Sequence, residues 1–148
     1  MEQAALLEPD PERRARLTRE VMARTGLDRA TIGAFLRAFY AAARADPLLA
    51  PSFAHVEDWE RHIAVITGFW CSVALMTGEY HGRPMQAHAG LKLTPAHFAR
   101  WLAIFRATAA ARFTPEGAAH VIDRAARIAR SLEMGLIPLD LSPAQPRT

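Results

Sequence analysis

Prolines punctuate this chain, and between them there is room for helices and little else. Apolar residues recur every three or four positions along each long segment. No segment alternates apolar and polar with the period of two that a half-buried strand needs. Pro11, Pro84, Pro95 and Pro115 stand where helices start, because the N–H a proline lacks has no partner there. Pro47 ends a helix, because the residue before a proline is pushed out of the helical region. The spacing therefore predicts an all-α chain. A first helix opens at Asp10 and Pro11 and stops at Gly26. A second is capped by Asp28 or Thr31 and ends at Asp46, followed by a tight corner, "PLLAPSFAHV". A third runs from about Asp58 to Met76, with Trp59, His62, Ile66, Phe69, Trp70 and Val73 on one face. Pro84 starts a short turn that places Met85, His88 and Leu91 together. Thr94 caps and Pro95 opens the next helix, and the last runs from Pro115 to Met134 with Gly135 as its stop.

A length of 148 residues suits one domain. Residues 1–25 read as a loosely held N-terminal helical extension, since only Leu17, Val21 and Met22 are apolar at helical spacing. Residues 26–137 form the domain, and 138–148, with three prolines, a loose tail. With 51% hydrophobic and 22% charged residues, a folded globular protein is expected. The longest apolar run, "GFWCSVALMTG", is too short to span a bilayer. The first ten residues do not read as a signal peptide, so a cytoplasmic location and no membrane span are expected. Cys71 stands alone, which rules out an internal disulfide and a Cys-based zinc site and suits a small buried hydrophobe. The pI is near 9.7, but the net charge is only +3. The most basic stretch, "PERRARLTRE", is interleaved with acids, so no nucleic-acid partner is expected.

There is no phosphate loop, no HExxH motif and no nucleophile–histidine spacing. What stands out is polar residues on apolar faces. His88 points inward from the Pro84 turn. Tyr40 shares a face with Leu36 and Phe39, His62 with Ile66, Phe69 and Trp70, and Trp101 with Phe98, Leu102 and Phe105. His97, about 100° from Phe98 on its helix, falls at the rim of the apolar face or outside it. Each buried donor needs a partner, and for any one of them a backbone carbonyl is explanation enough. Four of them on four helical segments point to a polar site inside an apolar cavity. A bare metal ion is poorly served, since neither carboxylate nor thiolate joins the histidines. Haem is better served, because it brings four nitrogens and asks for one imidazole and a wide apolar slot. Phe39, Phe53, Ile66, Phe69, Trp70, Leu91, Leu93, Phe98, Leu102 and Phe105 could line such a slot.

These residues also carry a resemblance. The stretch from Gly26 to Leu136 resembles the group III truncated haemoglobins of bacteria. It does so through the "FY" pair, the "DPLL.P.F" corner, "W..H" followed by "FW", "Y.G.P...H", "HF.RWL..F" and the closing "RIARSLEMGL". One departure is the corner "LLAPSF", with Ala50 and Ser52 where glycine and a larger apolar residue are expected. The resemblance implies a truncated globin over residues 26–137, a two-over-two helical sandwich around haem b (iron protoporphyrin IX). It implies His88 as the proximal iron ligand, and Tyr40, His62 and Trp101 as the distal pocket. Phe53 would pack on the haem, joined by Phe39, Ile66, Phe69, Leu91, Phe98, Leu102 and Phe105. His55, His81, His97 and His120 match no liganding position.

The implied activity is binding of dioxygen, nitric oxide and carbon monoxide, with high affinity and slow release, since two donors would hold a partly negative ligand. Arg83 and Lys92, near the His88 turn in sequence, are the candidate cations for the haem propionates. Two alternatives remain at this stage. One is a haem enzyme that consumes nitric oxide or peroxide and draws on a separate reductase. The other is a haem-free helical interaction domain.

Overall fold

A computed structural model describes residues 10–136. The tail expected over 138–148 lies outside the described residues. Among the described residues six α-helices follow one another: α1 (Asp10–Thr25), α2 (Arg29–Ala45), α3 (Trp59–Leu75), α4 (Pro84–His88), α5 (Pro95–Arg112) and α6 (Pro115–Leu136). A single 3₁₀ turn, Ala50–Phe53, makes the corner between α2 and α3. No strand occurs among the described residues.

Local chemistry sets most of these boundaries. At the start of α2 both candidate caps act. The Asp28 carboxylate accepts from the Thr31 N–H at 2.7 Å, and the Thr31 hydroxyl accepts from the Asp28 N–H at 2.9 Å. Asp58 caps α3 through the Arg61 N–H at 3.1 Å. At the corner, the Asp46 carboxylate takes the N–H groups of Leu48 and Leu49, each at 3.1 Å, and pairs with Arg100 of α5 at 2.6 Å. The end of α6 differs from expectation. Gly135 is not a stop but lies within the helix, which runs on to Leu136. Its missing side chain leaves space that Met85 of α4 fills. Met85 therefore faces α6 and solvent, 38% exposed, and does not share the inward face of His88.

The core gathers on α2, whose Ile32, Phe35, Leu36, Phe39 and Ala43 are buried. α2 packs on α3 and α5, and α5 packs on α6, so two helix pairs are stacked. Phe105 of α5 is fully buried at the centre. Its ring centroid lies 4.9 Å from Phe35, 5.5 Å from Phe39, 5.1 Å from Trp70 and 5.2 Å from Trp101. Truncating such a residue to alanine costs about 3–5 kcal/mol.

α3 departs from the single inward face expected of it. Ile63, Thr67, Trp70, Cys71 and Ala74 are buried, while His62, Ile66 and Phe69 look the other way, into a cavity. A helix covered on two sides mixes two stripes, and periodicity reads them as one broad face.

α1 is tied to the body by polar contacts that apolar spacing does not register. The Thr18 hydroxyl donates to the Leu75 carbonyl at 2.5 Å, and the Thr114 hydroxyl to the Thr25 carbonyl at 2.8 Å. Val21 and Met22 pack on the core beside them. The start of α6 approaches so closely that a Cβ on Gly117 would lie 2.8 Å from the Thr25 carbonyl oxygen. No helix among the described residues is long and apolar enough to cross a membrane.

Candidate functional site

Between the two helix pairs lies a cavity of about 360 Å³. That is within the size of a small-molecule or cofactor site. Every element from α2 onward contributes to it. Tyr40 comes from α2, and Ser52, Phe53 and His55 from the corner. His62, Val65, Ile66, Phe69 and Trp70 come from α3. Tyr80 comes from the loop before α4, Pro84, Ala87 and His88 from α4, and Leu91 and Leu93 from the loop after it. His97, Phe98 and Trp101 come from α5, and Ile128, Ala129 and Leu132 from α6. The lining holds no lysine, arginine, aspartate or glutamate.

His88 is oriented by its own helix. Its Nδ1 lies 2.6 Å from the carbonyl oxygen of Pro84, one turn back. A carbonyl can only accept, so Nδ1 carries the proton and Nε2 keeps its lone pair.

Across the cavity, Tyr40 sits in a cage of rings. Centroid distances are 4.9 Å to Phe39, 5.7 Å to Phe53, 5.9 Å to Trp59 and 5.8 Å to His62. Its hydroxyl makes no hydrogen bond to the described residues. Burial pushes the phenol far above its ordinary pKa, so it remains a donor. His62 packs edge-on against Trp59 at 5.2 Å. Burial, and then the neighbouring His55 and His88, hold its pKa below the usual histidine value, so it is neutral at pH 7. Trp101 stands against Phe39 at 5.5 Å, and its N–H also lacks a hydrogen-bond partner among the described residues. The lining thus brings together one imidazole with a free lone pair, two unpaired donors and a neutral histidine.

The expected apolar residues divide. Phe53, Ile66, Phe69, Leu91 and Phe98 line the cavity. Phe39, Leu102 and Phe105 lie one layer behind it, in or against the aromatic core. Arg83 and Lys92 are exposed and do not line it.

Four polar lining residues had no site role in the sequence reading: Ser52, His55, Tyr80 and His97. His97 was findable, since it stands one turn before Trp101 and so shares its stripe. Tyr80 sits in a loop without periodicity, and nothing in the spacing marks it. Behind the cage, the Arg44 guanidinium lies 4.0 Å from the centre of the Trp59 ring. His120, also buried, is structural, its ring nitrogen bonded to the Ala74 carbonyl at 2.8 Å.

No protein-family model matches the chain. It is 29% identical over 109 residues to the group 3 truncated haemoglobin ctb of Campylobacter jejuni, covering 70% of this chain and 86% of that one. Its fold superposes on the crystal structure of a group III truncated haemoglobin from Campylobacter jejuni with a TM-score of 0.68. Identity there is 28%, over 74% of this chain and 91% of the other. In sequence and in fold the chain is similar to group III truncated haemoglobins. Both comparisons take in nearly the whole of the relative. A sizeable part of this chain therefore lies outside the match.

Proposed function

We propose that the cavity would hold haem b, with His88 as the residue that ligates its iron, and that the protein binds diatomic gases there. The observation that carries this reading is the pairing of a lone-pair-bearing Nε2 on His88 with polar groups that find no protein partner. The residues fit the group. A neutral imidazole is the ligand haem needs, and its Nδ1 bond to a carbonyl keeps it in the right tautomer. No group of three or more His, Cys, Asp and Glu side chains among the described residues could hold a metal ion unaided. A cofactor that brings its own four nitrogens suits that donor set. Phe53, Ile66, Phe69, Leu91 and Phe98 supply an apolar wall for a flat macrocycle.

When bound, ferrous haem supplies an open coordination position for dioxygen, nitric oxide or carbon monoxide. Tyr40 and Trp101 would each donate a hydrogen bond to a ligand that carries partial negative charge. A bond to a charged group is worth roughly 1.5–3 kcal/mol, which favours slow release. His62, neutral and beside Tyr40, can accept the phenol proton and fix where that hydroxyl points, or act as a base at neutral pH. That basicity favours a second reading, turnover of peroxide or nitric oxide, with electrons supplied by a separate reductase.

The test is an absorption spectrum of the protein purified with haem available. The parent chain should show the intense haem band, His88→Ala should lose most of the haem, and His81→Ala, at an exposed position outside the lining, should keep a normal spectrum. Equal haem retention in the two variants would remove His88 from the iron. A colourless parent that takes up no haem would return the chain to the class of helical interaction domains.

A further inference from the structure

The haem reading leaves two carboxylates, the propionates, to be met at the mouth of a cavity that no arginine or lysine lines among the described residues. We propose that His97 binds a haem propionate through its Nε2–H. This rests on the haem reading above.

Three observations converge on His97. It lines the cavity and is half-buried, one helical turn before Trp101 towards the N-terminus of α5, so its ring stands at the edge of the site and not over its centre. Its Nδ1 is already engaged, because the backbone N–H of Thr94 donates to it at 3.1 Å. An atom that accepts from an N–H carries no proton of its own, so the neutral ring must hold its proton on Nε2. The imidazole here takes the reach-back place that a glutamate or glutamine fills in a capping box. The helix cap thus fixes His97 as a donor, whereas the Pro84 carbonyl fixes His88 as a lone-pair ligand. The two histidines lie nine positions apart in the chain, and their backbone contacts set them in opposite tautomers.

The cap and the propionate bond can be separated by experiment. Glutamate in place of His97 keeps the cap but replaces the donor with a negative charge, and glutamine keeps both a cap and a donor. Haem loss would be followed by transfer from the loaded protein to excess apomyoglobin, for iron protoporphyrin IX and for its dimethyl ester. Thermal melting of the haem-free variants would be measured alongside. His97→Glu should lose the free-acid haem about tenfold faster than the parent. It should lose the ester at the parent's rate, with an unchanged melting midpoint, and His97→Gln should stay close to the parent throughout. Equal acceleration for both haems, or no acceleration for either, would overturn the assignment. So would His97→Gln releasing the free-acid haem as fast as His97→Glu. A parent chain that takes up neither haem would overturn the haem reading itself, and this assignment with it.

Discussion

Tyr40→Phe should leave the haem-free protein almost unchanged and alter the gas-bound one. The ring would keep its contacts with Phe39, Phe53, Trp59 and His62, so volume and stacking barely change. Only the hydroxyl goes, and among the described residues it bonds to nothing. The hydroxyl opens on the cavity, since among the described residues no buried side-chain polar atom lacks a partner. Its removal should therefore change the stability of the haem-free chain by no more than about 0.5 kcal/mol. In the haem-loaded protein the same hydroxyl would hold the bound gas. Its loss should speed dioxygen release by about 10- to 150-fold, while carbon monoxide, which carries less charge, is little affected. Calorimetry of the haem-free variant and stopped-flow release from the loaded one measure the two effects. A lower midpoint together with unchanged dioxygen release would refute the reasoning, because it would mean the hydroxyl is spent on the fold.

Trp101→Phe should also speed dioxygen release, by about tenfold or more. Stopped-flow measurement checks it, and equal acceleration of carbon monoxide would assign the indole a steric part. Gly117→Ala should destabilise the chain by about 1–3 kcal/mol in a denaturant titration. The new methyl group would press on the Thr25 carbonyl, and the haem spectrum should not change. Acid should weaken the fold through His120, whose pKa burial holds below the ordinary 6.5 in spite of its bond to Ala74. The unfolded chain then takes up a proton first. Stability from this group is complete above about pH 6.5 and declines as pH falls below it. His120→Gln should flatten that decline in melting experiments across pH 5–8, the range about histidine's pKa.

The helices were legible because their ends are written in short-range chemistry. Asp28, Asp58, Thr94 and the prolines act on their own next few residues, and no tertiary contact is needed to read them. Gly135 misled because a glycine in a last turn can serve two purposes. Here it leaves space for Met85, a residue some fifty positions away, and no local rule reports that. His88, Tyr40, His62 and Trp101 were visible as polar residues on apolar stripes, and the cavity gathers all four. Phe39 and Phe105 carry the same apolar signal as Phe69 and Phe98, yet they stand behind the wall. Periodicity gives the direction of a side chain but not how many layers lie in front of it. Tyr80 and His55 lie in or beside the short corner and loop segments, where no period exists to be read.

α4 is a single helical turn of five residues, and α6, where Met85 fills the space over Gly135, is its main helical contact. A segment that short forms few helical hydrogen bonds and does not hold together by propensity. The residue proposed to grip the cofactor therefore sits on one of the least self-sufficient pieces of the fold. Loading the cavity would bring in a rigid apolar plate and fasten that turn to it through the imidazole. Amide protons from Met85 to Leu93 should then exchange quickly in the empty chain and slow sharply on loading, while those of α2 and α5 scarcely change. In this sense the proposed cofactor would act as a missing segment of the polypeptide's interior, fastening a turn that has few contacts of its own.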